Sequence, residues 1–166
     1  MIRIVTLLAV FAVVLGTTKV NGQGMPKEVR NQIRDHLIGQ WTSQGTWGNE
    51  KSQGEHKIRW SSKRSCVIEQ MTVSDKDGEV KQTNLWGWDP ATKSMMIYGF
   101  SSRGDHFVIQ FNDLANDKWT GHGKGTFQGK EWKSPASIEW SKDSIKYEDT
   151  TDGKPFVLLS KRKPKE

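Results

Sequence analysis

From Trp41 to the end of the chain, polar and apolar side chains alternate with a period of two, and short polar turns break the pattern about every 8 to 12 residues. That period places successive side chains on opposite faces of an extended strand. Trp41, Ser43, Gly45 and Trp47 alternate with Thr42, Gln44 and Thr46 in the first such run. Gly48 to Gly54 reads as a polar loop. His56, Ile58 and Trp60 then alternate with Glu55, Lys57 and Arg59 as a half-buried strand. Further strands are predicted over Cys66 to Val73, Glu79 to Trp88 and Ser94 to Ser101, and then in the run holding Phe107, Ile109 and Phe111 on one face. The last four cover Lys118 to Phe127, Lys130 to Trp140, Ser144 to Thr151 and Lys154 to Ser160. Asp77-Gly78, Gln128-Gly129 and Asp152-Gly153 supply the positive φ of tight hairpin turns.

Upstream of Trp41 the period is helical. Val29, Ile33, His36 and Leu37 recur at spacings that share a face, Pro26 suits a first turn, and Gly39 suits a C-terminal stop. One helix of about twelve residues follows from that pattern. The chain is thus all-β after a short N-terminal helix, with roughly ten strands joined by hairpins and no crossover helix. Such a meander closes into an antiparallel up-and-down barrel, because closure removes exposed edges. An open sheet or a two-sheet sandwich would need longer cross-connections than the sequence provides. Over Cys66 to Val73 and Glu79 to Trp88 both faces carry apolar residues, so the pattern alone does not decide which side is the interior.

Residues 1–22 stand apart. Arg3 precedes an apolar run from Ile4 to Leu15, and Val20-Asn21-Gly22 offers a small polar cleavage triplet, which is the form of a signal peptide cleaved near Gly22. The run is shorter than the roughly 20 residues of a membrane span, so stable membrane insertion is not expected. Residues 23–166 then form a single domain of ordinary size for one core. Losing Arg3 and Lys19 lowers the net charge from +6 to +4, and no basic stripe is interleaved with aromatics, so nucleic acid is not an expected partner. Cys66 is the only cysteine, so an exported chain holds itself together by packing without an internal disulfide. The thiol is expected to be buried. No Asn-x-Ser/Thr sequon occurs, which fits a bacterial secreted or periplasmic protein.

Gly39-Gln40-Trp41, placed just after the helix, resembles the Gly-x-Trp motif of lipocalins. The resemblance implies a calycin-type barrel in which Trp41 closes one end beneath a basic residue of the last strand. Arg162 has the matching parity for that part. Gly87-Trp88-Asp89-Pro90-Ala91-Thr92 is similar to a turn found in a family of uncharacterised, often exported, bacterial lipocalin-like domains. Leu37 to Trp47 also resembles the nitrobindins. Those bind haem through a late histidine, whereas no histidine follows His122 here, and no cofactor is expected.

Eight tryptophans mark the composition. Strand parity puts Trp47, Trp60, Trp86, Trp119, Trp132 and Tyr147 toward the lumen with Phe107 and Ile109. His56, Gln70 and Tyr98 are further candidates to orient a polar end of a ligand. These aromatics either fill the barrel or line a cavity for a small, mainly apolar molecule. Gly121, Gly123 and Gly125 share one face of the seventh strand and leave room there for a large neighbour such as Trp132. The four histidines show no metal-ligand spacing, so no metal is expected. The sequence also lacks a nucleophile elbow and a phosphate loop, which argues against nucleophilic hydrolysis and phosphoryl transfer. Three function classes remain. The first is an exported protein binding a small apolar ligand in the lumen. The second is a barrel enzyme of isomerase or cyclase type with His56 as general base, oriented by Glu69. The third is a surface binder of carbohydrate or protein through tryptophans such as Trp88 and Trp140.

Overall fold

A computed structural model describes residues 24–151 and 153–164. Residues 1–23, which hold the expected signal peptide, Asp152 and residues 165–166 lie outside the described residues. After a helix, α1 (Lys27–Gln32), with a wider π-helical turn (Ile33–Leu37), come ten strands. They are β1 (Gly39–Trp47), β2 (Glu50–Trp60), β3 (Val67–Asp75), β4 (Gly78–Asp89), β5 (Ser94–Ser101), β6 (His106–Leu114), β7 (Lys118–Phe127), β8 (Lys130–Trp140), β9 (Ser144–Thr151) and β10 (Lys154–Arg162). Each strand pairs antiparallel with the next, and β10 returns to pair with β1, so the sheet is a closed barrel. Closure leaves no unpaired strand edge.

The up-and-down order gives the barrel two unlike ends. The turns at 48–49, 76–77, 102–105 and 128–129, with the ends of β9 and β10, gather at one end, the mouth. At the other end lie the connections 61–66, 90–93, 115–117 and 141–143, together with the helix. Val29, Ile33 and Leu37 turn their buried side chains into a core shared with Trp41, Phe111, Trp119 and Trp140. The indole N–H of Trp41 donates to the Leu37 carbonyl at 3.0 Å, and that of Trp119 donates to Gln32 Oε1 at 2.9 Å. The helix is therefore a lid fixed by indoles, and this end is shut.

Two features depart from the alternation pattern. β2 begins at Glu50, so the expected polar loop at 48–54 shrinks to a two-residue turn with Gly48 at φ 57°. Glu50 to Gln53 are polar because they stand at the mouth, where both faces of a strand meet water. The helical stretch does not end as a regular α-helix either. Its last turn widens, with the Ile38 N–H donating to the Ile33 carbonyl at 3.0 Å. The Asp-Pro-Ala-Thr segment serves as a turn between β4 and β5, where Asp89 accepts from the Ala91 N–H at 3.0 Å and the Thr92 hydroxyl at 2.7 Å. Cys66, expected to open the third strand, lies just before β3 in the preceding connection and is half-buried, more open than expected.

Candidate functional site

The barrel encloses a cavity of about 260 Å³ that opens at the mouth. Its walls are apolar and aromatic: Ile97, Ile109, Ile138, Ile145 and Leu158 toward the shut end, and Phe107, Trp132, Phe156, Phe127 and Trp47 toward the mouth. Alternation within each strand puts these side chains inside. Trp132 reaches its place because its ring lies over Gly123, diagonal to its register partner Gly125. A Cβ on Gly123 would sit 2.6 Å from the indole.

Toward the shut end the cavity meets a buried polar cluster drawn from β2, β3, β4 and β10. His56 Nδ1 lies 2.6 Å from Glu69 Oε1, and its Nε2 lies 3.0 Å from Ser160 Oγ. Glu69 Oε2 accepts from the Asn84 amide at 2.9 Å and from the Trp86 indole at 3.1 Å. Asn84 Oδ1 in turn accepts from Gln82 Nε2 at 3.1 Å. Burial pushes the Glu69 carboxyl up, but the hydrogen bond and charge of His56, with Asn84 and Trp86 behind them, outweigh it and hold the group below its ordinary value. A fully bonded carboxylate fixes the ring of His56, with Nδ1–H as donor to it.

A second polar group sits on β9, on another side of the lumen. The Tyr147 hydroxyl donates to Asp149 Oδ2 at 2.7 Å and the Thr151 hydroxyl donates to Oδ1 at 2.9 Å. Burial raises the Asp149 carboxyl above its ordinary value despite these two bonds. Burial and the neighbouring carboxylate together push the Tyr147 phenol well up. At the mouth, Arg103 grips Asp75 with two nitrogens, at 2.7 and 2.9 Å. Lys154 Nζ stands 4.3 Å from the centre of the Trp47 ring.

Of the residues singled out by pattern, Trp47, His56, Trp86, Phe107, Ile109, Trp132 and Tyr147 line the cavity. Gln70 and Tyr98 do not. Both point outward, Tyr98 with 43% of its surface exposed, because on β3 and β5 it is the neighbours Glu69, Met71, Ile97 and Gly99 that face in. Trp60 and Trp119 are interior but sit in the packing of the shut end, outside the cavity wall. Trp140 is buried there too, against Trp119, and not on the surface where carbohydrate binding would need it. Asp149, Asn84, Gln82 and Ser160 were not anticipated. The signal for Asp149 was its two-residue step from Tyr147 on a strand otherwise read only for aromatics. Trp41 is wholly buried, and the Arg162 guanidinium lies over it, 4.2 Å from the ring centre.

Among the described residues, no group of three or more His, Cys, Asp or Glu side chains is placed to hold a metal ion. No described helix is long and apolar enough to cross a membrane. No family model matches the chain, and no curated protein matches it. Among solved structures it is similar to a de novo designed fluorescence-activating β-barrel, at TM-score 0.45 and 10% identity over 80% of this chain and 98% of that one. It is also similar to a redesigned β-barrel, mFAP0, bound to DFHBI, at TM-score 0.43 and 13% identity over 76% of this chain and 98% of that one.

Proposed function

We propose that the protein is an exported binding protein, akin to the lipocalin-like barrels, that holds a small and mainly apolar molecule in its lumen. The observation that carries this reading is the cavity itself: about 260 Å³, walled by aromatic and branched apolar side chains, shut at one end and open at the other. A space of this kind gains free energy by burying apolar ligand surface, and a few polar groups inside set the orientation. Native mass spectrometry of the protein purified gently from its own compartment tests it. A discrete added mass, lost on organic extraction, is the expected result. A bare mass, with tryptophan fluorescence unmoved by a panel of apolar probes, would sink the reading.

The pairing of His56 with Glu69 favours a second reading, an isomerase or cyclase that uses His56 as general base inside the same barrel. Nε2 faces Ser160, so a substrate would have to take the place of that hydroxyl to present its proton. Turnover that vanishes in His56→Ala while ligand binding persists would select this reading over simple binding.

A further inference from the structure

The charge inside the barrel has the opposite sign to the charge of the chain. The net charge of the whole sequence is +6. The cavity lining holds six carboxylates and two permanent cations, Lys51 and Arg103, and two more cations, Lys76 and Lys154, stand against lining residues at the mouth. Three of the six have partners: Asp75 pairs with Arg103, Glu50 with Lys76 at 3.0 Å, and Glu69 with His56. A random scatter of surface charge in a basic protein would not collect acids around this cavity. A concave, low-dielectric wall focuses such a field toward its interior.

Among the three remaining carboxylates, Asp149 stands inside the cavity. Its oxygens are met by the hydroxyls of Tyr147 and Thr151, both neutral donors. No described lysine, arginine or histidine pairs with it. Withdrawing an ionised carboxylate from water without a counter-charge is costly, and its raised titration agrees with that cost. The same carboxylate lies among aromatic rings that line the same space, Tyr147, Phe156 and Trp132. Tyr147 and Phe156 meet edge to face at 6.0 Å. Aromatic faces and an uncompensated carboxylate attract one chemical class in common, an organic cation. The chain shows the preference on itself at the mouth, where the Lys154 ammonium has settled over the Trp47 ring.

Building on the proposed lumenal binding, we infer that the ligand is a small apolar molecule bearing a protonated amine, with the ammonium against Asp149 and the apolar body against Trp132 and Phe107. The excess of carboxylates in the lining draws such a molecule in, and the aromatic wall holds it. Neutral apolar molecules of the same shape fit the walls but leave Asp149 without a counter-charge. Carboxylates of the same shape are repelled.

Three isosteric probes distinguish these cases by calorimetry on the full mature protein: 1-naphthylmethylamine, 1-naphthylmethanol and 1-naphthoate at neutral pH. The amine is expected to bind about tenfold or more tighter than the alcohol, and the naphthoate weaker than both. In Asp149→Asn the preference for amine over alcohol should disappear while the alcohol keeps its affinity. The ranking in the unaltered protein is a test that needs no variant. If the alcohol binds as tightly as the amine, the cation inference is overturned and lumenal binding stands. If none of the three binds, both fall.

Discussion

The guanidinium of Arg162 lies 4.2 Å above the indole of Trp41 and donates to two carbonyls at the end of the helix, His36 at 2.7 Å and Ile38 at 2.8 Å. One side chain from the last strand thus joins the first strand, the helix terminus and the shut end. It fits because Gly39 has no Cβ, which would come within 2.6 Å of Arg162 Nη1. A cation over the carbonyl end of a helix also opposes its dipole favourably. Arg162→Ala should lower stability by about 2–4 kcal/mol, the sum of charged hydrogen bonds and a cation–π contact. Arg162→Lys should recover less than half, since an ammonium cannot fork to two carbonyls while stacking. Urea unfolding at neutral pH checks both, and an alanine variant within 0.5 kcal/mol of the parent would show that the contact carries little.

Trp132 and Trp60 separate wall from packing. Trp132 borders the cavity, whereas Trp60 packs against the core near the shut end. Trp132→Ala should weaken binding of an apolar probe by ~1–3 kcal/mol and leave the barrel folded. Trp60→Ala should reduce stability and leave the affinity of the folded protein unchanged. Equal loss of affinity in both would mean that the wall has been drawn in the wrong place.

The Gly123 contact predicts a change of shape. Gly123→Ala forces its methyl into the Trp132 ring, so the indole must move into the lumen or the strands must part. Overpacking of this kind costs typically 1–3 kcal/mol. A lower melting temperature together with altered tryptophan emission is expected. An unchanged melting temperature would show that the ring moves aside freely.

Glu69 ties stability to pH in one direction. Its folded-state titration lies below the ordinary value of 4.5, so its stabilising contribution is fully present above that pH and is lost as pH falls through the folded value. Glu69→Gln should cost about 3–5 kcal/mol at pH 7, because its carbonyl oxygen can still accept from Asn84 and Trp86 but its amide N–H then faces the Nδ1–H of His56 and the buried charge is gone. The gap between parent and variant should hold from neutral pH to about 5 and narrow below 4. Asp149 has the opposite sign. Its folded titration is raised, so its contribution is present below its ordinary value and is lost as pH rises through the folded one. Asp149→Asn should therefore be tolerated better at pH 7 than Glu69→Gln. Chemical unfolding at several pH values measures both.

Much of the architecture was legible because strong alternation and hairpin turns coincide. On β2 the run His56, Ile58, Trp60 against Glu55, Lys57, Arg59 fixes which side is inside. The reading failed where alternation is absent. On β5 the residues Met95 to Phe100 are apolar on both faces, so Tyr98 was placed inside, although Phe100 with 58% exposure and Leu85 show that this outer wall is itself apolar. On β3, Gln70 reads as lumenal while its neighbour Glu69 is set beside His56, although adjacent strand residues face opposite sides; Glu69 is the one that faces in. Its pairing with His56 was legible, whereas its bonds from Asn84 and Trp86 on β4 are not written in any one segment. The contents of the site depended on register, and register slips by whole faces.

Nine of the ten strand pairings join neighbours in sequence, and only β1 with β10 spans the chain, so that the Thr42 hydroxyl meets the Lys161 carbonyl across 119 residues. Local hairpins can form early, but this seam carries the loop-closure entropy of almost the whole domain and is expected to close last. Until it does, the intermediate is a curled sheet with two bare edges and an aromatic inner face exposed to water. The time the chain spends before that final pairing, more than the strength of any one contact in the finished barrel, then sets how readily copies clump during folding.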